Sequence, residues 1–159
     1  MDGDRRIAGR FCRLWIDLIS GAIFTTRAWL ECARCRIAIW CTALVTGGGS
    51  GIGEAIAIDL ADAGVAVTIC GRRAEPLEET ARKITDNGGN ANCIVTDMTD
   101  PDDIEKLAHN LLDQGGPDII VNNAGFSSKV RSPLFIGADE WRSVMDVNTM
   151  GPAILNRHL

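Results

Sequence analysis

Apolar and polar residues alternate along residues 42–159 in a pattern that predicts strands and helices in turn. Short, nearly continuous apolar runs predict four strands, and such runs are typical of strands buried on both faces. Between the runs, apolar residues recur at helical spacing, as Ile56 and Leu60 do. The predicted strands are Ala43–Val45, Val65–Cys70, Asn92–Thr96 and Asp118–Asn122, and the predicted helices begin near Gly51, Pro76, Pro101 and Asp139. The last helix is expected to run towards Leu155 with a kink at Pro152.

This order of elements predicts an α/β fold. Alternating strands and helices form a parallel sheet with helices on both faces. With about four strands, residues 42–159 are expected to form an incomplete Rossmann-type, doubly wound sheet, preceded by an irregular N-terminal extension over residues 1–41.

A glycine-rich stretch, Thr46 to Gly53, connects the first predicted strand to the first helix. Five glycines in the seven positions 47–53 indicate a backbone that turns sharply and approaches a ligand closely. The following helix N-terminus offers free N–H groups that suit a phosphate. A P-loop would carry Lys after its last glycine, whereas Glu54 stands here and would repel phosphate, so a dinucleotide site is favoured. The alternative is a flexible turn without a ligand.

In an open parallel sheet, ligands bind at the carboxyl ends of the strands. The second predicted strand is followed by Arg72 and Arg73, whose guanidinium groups suit the 2′-phosphate of NADP; a solvated basic turn is the alternative. The third strand ends in a carboxylate and an apolar residue. The fourth ends in two amides and a small turn, which is expected to lie next to the glycine loop. These residues are Asp97 and Met98, and then Asn122, Asn123, Ala124 and Gly125.

Asn148 lies on the helical stripe of Trp141, Val144 and Met145, so an amide is expected to face inward among apolar residues. A buried amide needs a hydrogen-bond partner. A core polar residue and a catalytic residue explain this position equally well.

Charge divides the chain into two parts. Residues 1–41 carry seven Arg and four acidic residues, whereas residues 42–159 have a net charge of −8 within a total of −5. We therefore expect residues 1–41 to lie outside the fold, although an organelle presequence is an alternative for this Arg-rich segment. The acidic remainder argues against a nucleic-acid partner.

The six cysteines come without a secretory signal, which favours reduced thiols and a cytoplasmic location. Cys32 and Cys35 have C-x-x-C spacing but no neighbouring ligands, so no metal site is predicted. The longest uncharged apolar stretch, Leu18 to Thr26, is far below the roughly 20 residues of a membrane span, so no membrane partner is expected.

Taken together, the motifs of residues 42–159 resemble the cofactor-binding part of the short-chain dehydrogenase/reductase family. The resemblance is carried by Thr46-Gly47-x-x-x-Gly51-x-Gly53, Asp97, Asn122-Asn123-Ala124-Gly125 and Val147-Asn148. It implies an oxidoreductase that reduces small carbonyl compounds or oxidises alcohols with NADP, with NAD as the alternative cofactor.

The resemblance also implies roles for individual residues. The glycine loop would hold the pyrophosphate, Asp97 would reach the adenine, and Asn148 would be the Asn of the family's Asn-Ser-Tyr-Lys tetrad. Met98, beside Asp97 at the rim of the crevice, is a further cofactor-binding candidate. Ser50 is expected either to donate to a phosphate oxygen or to serve the turn alone. The loop residues concerned are Thr46, Gly47, Ser50, Gly51, Ile52 and Gly53, and Asn123, Ala124 and Gly125 would support the strand beside the cofactor.

The chain departs from the family pattern after Asn148. It contains no Tyr and ends eleven residues later, before the family's catalytic Ser and Tyr-x-x-x-Lys. We therefore expect a cofactor-binding half that is inactive alone, forms a homo-oligomer only with the C-terminal half, and leaves the outer edge of its fourth strand unpaired. The alternative is a non-catalytic dinucleotide-binding or interaction protein.

Overall fold

The computed structural model of the chain describes residues 14–17, 41–128 and 133–159. The strands are β1 (Leu14–Asp17), β2 (Thr42–Thr46), β3 (Ala66–Gly71), β4 (Ala91–Val95) and β5 (Ile119–Asn122). The helices are α1 (Gly51–Asp62), α2 (Ala74–Asp86), α3 (Pro101–Asp113), α4 (Ala138–Met145) and α5 (Gly151–His158). A 3-10 turn, Pro133–Phe135, precedes α4, and a π-helical turn, Asp146–Met150, joins α4 to α5.

All the strands pair in parallel, in the order β1-β5-β2-β3-β4. The four strands predicted from the apolar runs are all present, with ends that differ by no more than one residue. The predicted Rossmann-type α/β sheet is therefore confirmed.

Apolar side chains cover both faces of the sheet because successive strand residues point to opposite sides. On one face, strand residues pack against α1 and α2; this cluster includes Val45, Val67, Ile69, Val121, Leu60, Leu77 and Ile84. On the other face, strand residues pack against α3 and α5; this cluster includes Leu44, Cys70, Ile120, Ile104, Leu107 and Leu155. Double-sided burial explains why β2, β3 and β5 contain almost no polar positions.

The order of the strands in the sheet determines where the ligand crevice lies. From β2 the chain moves through β3 to β4 on one side, and then returns to place β5 on the other side of β2. The segments that leave the neighbouring strands β2 and β5 therefore diverge at the carboxyl end of the sheet. Such a switch point is where open α/β sheets bind their ligands.

Strand β1 differs from the prediction that residues 1–41 lie outside the fold. Leu14–Asp17 pairs with Ile119–Asn122 at every position, and so occupies the edge that was expected to be open. The prediction is wrong for these four residues, since an apolar run of this kind can pair wherever an edge strand offers free backbone groups. The same prediction for residues 1–13 and 18–40, with the C-x-x-C pair and the Leu18 to Thr26 stretch, lies outside the described residues.

The last predicted helix is interrupted earlier than expected. The interruption is the π turn at Asp146–Met150, and Pro152 lies in the first turn of α5. The N–H of Gly151 donates to the carbonyl of Asp146, five residues earlier. In an α-helix, the residue at position 152 would donate its N–H to the carbonyl of Asn148, but Pro152 has no N–H. The sequence therefore predicted a distortion in this helix, although the distortion lies just before the proline and not at it.

The π turn also changes which side chains face inward. Trp141 and Met145 are 44% and 46% exposed, whereas Val147 is 8% exposed and lies in the core. The predicted buried stripe of Trp141, Val144 and Met145 is therefore wrong, because α4 has no buried residue and the wider turn rotates the inward face to Val147.

Candidate cofactor site

The glycine loop folds back onto the end of β3. The N–H groups of Gly47 and Gly48 donate to the carbonyl of Cys70, at 2.7 and 3.2 Å. Gly47 has a φ of +69°, and a Cβ there would lie 3.0 Å from the Cα of Ala124. This position needs glycine for both its backbone angle and the close approach of the next strand's turn.

Gly53 is required for a different reason. It is buried in the first turn of α1, where a Cβ would overlap the carbonyl oxygen of Gly47 and the side-chain nitrogen of Asn123. Gly51, in contrast, has a φ of +61° but open space around it. Gly51 is thus needed for its backbone angle and Gly53 for the close packing around it. The outer side of the loop is left open to a ligand.

The helix that follows the loop keeps its first backbone donors available. Ser50 has an extended backbone and its side chain makes no capping bond to α1, so the hydroxyl and the first N–H groups of the helix are free to bind an anion. Ile52 is 67% exposed on the same turn. An exposed apolar residue beside free N–H groups suits a ligand that has both phosphate and apolar parts.

Thr46 connects the glycine loop to the turn after β5. Its fully buried hydroxyl accepts from the N–H groups of Asn123 and Ala124, at 3.0 and 2.9 Å, and donates to the carbonyl of Val121 at 3.3 Å. One hydroxyl therefore satisfies three backbone groups at the switch point.

The side chain of Asn123 makes the reverse connection. Its Nδ2 donates to the carbonyl of Thr46 at 3.0 Å and to that of Gly47 at 3.3 Å. Thr46 and Asn123 thus hold β2, the glycine loop and the β5 turn in one fixed arrangement. This confirms that the two motifs are neighbours in space, which their separation of 77 residues in the chain does not show.

The carboxylate that counted against phosphate binding is ion-paired. Glu54 Oε1 lies 2.8 Å from the Nζ of Lys83 on α2, and Lys83 also pairs with Glu79 at 3.1 Å. The bond to Glu54, followed by that to Glu79, raises the pKa of Lys83 above its usual value. Because it is ion-paired, Glu54 repels a phosphate at the N-terminus of α1 less than the sequence alone suggested.

The residues after β3 and β4 lie along the same edge of the sheet. Arg72 and Arg73 are exposed, and Arg73 directly precedes α2. Asp97 is half-buried and accepts from the backbone N–H and the hydroxyl of Thr99, at 2.9 and 2.8 Å. These two bonds fix the carboxylate at the rim next to β4.

The side chain of Met98 does not lie at the rim of the crevice, where it was expected. Its side chain is 4% exposed and belongs to the core, where it contacts α5 at Gly151. A side chain this apolar is more stable under α5 than in water. Met98 can therefore meet a ligand only through its backbone.

Asn148 is clamped by the chain that leaves the β5 turn. Its Oδ1 accepts from the N–H of Phe126 at 3.0 Å, and its Nδ2 donates to the carbonyl of Phe126 at 2.9 Å. Gly125 allows this approach, since a Cβ there would lie 3.0 Å from Oδ1. The predicted need of this amide for a partner is met by Phe126, which nothing in the sequence singled out.

Two further titratable side chains, those of His109 and Cys70, differ in burial. His109 is exposed on α3 and Cys70 is buried beneath the glycine loop, where burial raises its pKa to about 12. In the described part of the chain, no cluster of three or more His, Cys, Asp or Glu residues is arranged to hold a metal ion. Within the same residues, no helix has both the length and the apolar character needed to cross a bilayer.

The family model described as short chain dehydrogenase matches residues 41–159. The chain belongs to this family. A short chain dehydrogenase/reductase of Colletotrichum higginsianum is 34% identical over 117 residues, which are 73% of this chain and 44% of that protein. An NADPH-dependent pterin aldehyde reductase of Arabidopsis thaliana is 35% identical over 118 residues, covering 74% of this chain and 48% of the relative.

Solved structures agree with this assignment. A metagenomic short-chain oxidoreductase in complex with NADP superposes with a TM-score of 0.72 at 33% identity, covering 75% of this chain and 54% of that structure. L-sorbose reductase from Gluconobacter frateurii, complexed with NADPH and L-sorbose, has a TM-score of 0.70 at 29% identity, with 75% and 46% covered. This short-chain dehydrogenase chain thus spans about half the length of the relatives that it matches.

Proposed function

We propose that the chain is the NADP(H)-binding half of an oxidoreductase that acts on small carbonyl compounds or alcohols. The observation that carries the proposal is the locked pair of turns: Thr46 and Asn123 hold the glycine loop against the β5 turn and leave the loop's outer side and the start of α1 open. A dinucleotide fits there, with its pyrophosphate at Gly51, Ile52 and the Ser50 hydroxyl. When bound, a nicotinamide cofactor supplies or accepts the hydride.

The preference for NADP over NAD is supported by Arg72 and Arg73. Both side chains are exposed at the end of β3, and no acidic residue stands at these two positions to hold a ribose 2′-hydroxyl instead. A guanidinium group pairs well with a 2′-phosphate. Asp97, fixed by Thr99 at the adjacent rim, is placed to border the adenine. NAD remains the weaker of the two cofactors in this proposal.

Asn148 is proposed to act as a positioning residue. Both hydrogen-bonding ends of its amide are engaged by Phe126, so it contributes by holding the loop after Gly125 in place at the mouth of the site. General acid–base catalysis by a phenol contributes about 10² to 10⁴ in rate, and this chain contains no Tyr. We therefore propose that it does not turn over substrate without a polypeptide that supplies the missing acid.

A second candidate function follows from the same absence: a non-catalytic dinucleotide-binding or interaction protein. For either candidate we propose a cytoplasmic location, no nucleic-acid or membrane partner, and a homo-oligomer only when the C-terminal half is present. The acidic balance of residues 42–159 supports the exclusion of nucleic acid.

Two measurements on the purified chain test the proposal. The first is NADPH binding followed by tryptophan fluorescence, and the second is NADPH oxidation with a panel of aldehydes and ketones. Binding without oxidation is the expected result. Oxidation with any substrate would contradict the inactive half. Failure to bind either cofactor would contradict every dinucleotide-binding function and leave only the interaction protein.

A further inference from the structure

The outer edge of β5 is occupied by a strand from the beginning of the chain. Leu14, Trp15, Ile16 and Asp17 pair with Ile119, Ile120, Val121 and Asn122, in parallel and without a bulge. On its other side β5 pairs with β2. The pairing with β1 thus makes β5 an interior strand.

Strand β5 needs a neighbour at this edge. Ile120, Val121 and Asn122 are 8%, 2% and 5% exposed, so the strand is buried on both faces. Alternate backbone N–H and C=O groups of a parallel strand point to each side, and those on the outer side lack a strand partner unless one pairs there. A buried strand with an open apolar edge is a template for pairing with another chain.

The segment between β1 and β2 is long enough for β1 to pair with β5 and to detach from it. These strands lie on opposite sides of β5 and run in the same direction. Parallel connections need about a dozen residues or more, and residues 18–41 provide 24. A segment of the same chain docks as an intramolecular partner, so its pairing does not depend on the protein concentration.

We propose that the outer edge of Ile119–Asn122 is a strand-acceptor site and that its occupant is the chain's own Leu14–Asp17 segment. Backbone pairing holds the segment, so a strand-forming apolar sequence is required and individual side chains matter less. When the segment cannot pair, the open β5 edge pairs with the open edge of a second molecule. This inference does not depend on the proposed cofactor.

The test compares two double variants of the full chain. Trp15→Pro with Ile16→Pro removes two backbone donors from β1, whereas Trp15→Val with Ile16→Val keeps the capacity to form a strand. Hydrogen exchange of residues 119–122 and the molecular mass by light scattering are measured for both. In the proline variant we expect exchange at alternate β5 amides to rise about tenfold or more and the mass to increase. The valine variant should match the wild type in both respects.

A synthetic peptide of residues 13–19 separates edge pairing from general unfolding. Added in excess to the proline variant, it should restore both the slow exchange and the original mass, because it fills the same edge. Unchanged exchange in the proline variant would overturn the proposal. Faster exchange throughout the sheet that the peptide does not reverse would overturn it too, since that result means loss of the fold and not of one strand.

Discussion

The side-chain amide of Asn148, in a π-helical turn, bonds both the N–H and the carbonyl of Phe126 in the loop after β5. The two residues are 22 positions apart, and their pairing fixes the mouth of the candidate site to the helix that follows it. An amide is the side chain that can donate and accept at once in this geometry. Replacing this amide with a carboxylate, which only accepts, therefore tests the hydrogen bond that the amide donates.

Asn148→Asp should lower the free energy of unfolding by about 0.5–1.5 kcal/mol, because a carboxylate still accepts from the Phe126 N–H but faces the solvent-exposed carbonyl without a proton to donate. The measurement is urea unfolding followed by circular dichroism. Asn110→Asp is the matched control, since only the oxygen of that exposed amide accepts, from the Gln114 side chain. Equal stability of the two variants would show that the Phe126 clamp contributes nothing.

Thr46→Val tests the connection between the glycine loop and the β5 turn. The substitution keeps the shape of the side chain but removes the acceptor of the Ala124 N–H, whereas the Asn123 N–H keeps the carbonyl of Val121 at 3.0 Å. A buried donor left unpaired costs about 1–3 kcal/mol, so the urea midpoint should fall. Thr85→Val, which removes only an exposed bond to the carbonyl of Arg82, should leave the midpoint close to that of the wild type. The account fails if Thr46→Val is as stable as this control.

Gly53→Ala should weaken NADPH binding by about tenfold or more, because its Cβ would push the Gly47 carbonyl and the Asn123 side chain apart and so deform the loop. The comparison is Gly137→Ala, where a Cβ meets open space and the backbone angle is ordinary. Binding is followed by calorimetric titration. Wild-type affinity in Gly53→Ala would mean that the close approach at α1 does not shape the site.

Cys70 gives a pH prediction. Burial raises the pKa of its thiol from 9.0 to about 12, so between these values the unfolded chain loses a proton that the folded chain keeps. The unfolded state then binds fewer protons, and stability should fall as pH rises, by up to about 1.4 kcal/mol per pH unit from this group. Cys70→Ala should show a shallower decline than Cys93→Ala in urea titrations between pH 8.5 and 10.5, chosen to span roughly the start of this window. Identical slopes would contradict the buried, neutral thiol.

The sequence predicted the four strands β2 to β5 because their apolar runs are dictated by burial on both faces. It also predicted that the glycine loop and Asn122–Gly125 meet, since both follow neighbouring strands at one edge. It did not predict the bonds of Thr46 and Asn123, because hydrogen-bond partners 75 to 78 residues away leave no periodic signal. Pairing of β1 with β5 was missed for a related reason: backbone pairing is available to any strand-forming segment, and composition alone argued for exclusion.

The position of Met98 shows the same limit on a smaller scale. Asp97 and Met98 lie beyond the end of β4, where no strand period fixes the directions of their side chains. Asp97 reaches the rim, whereas Met98 lies in the core against Gly151. The π turn also changed which residues of the last helix face inward. Pro152 indicated a distortion in this helix but not its position.

A calorimetric titration with NADPH and NADH tests the account most directly. Wild type, Arg72→Ala with Arg73→Ala, and the exposed control Arg82→Ala should be compared at one ionic strength. A charge-assisted bond contributes about 1.5–3 kcal/mol, so NADPH should bind the wild type and the control roughly tenfold to a hundredfold more tightly than NADH. The double variant should bind both cofactors with similar, weaker affinity. Equal affinities in the wild type, or no binding of either cofactor, would contradict the account.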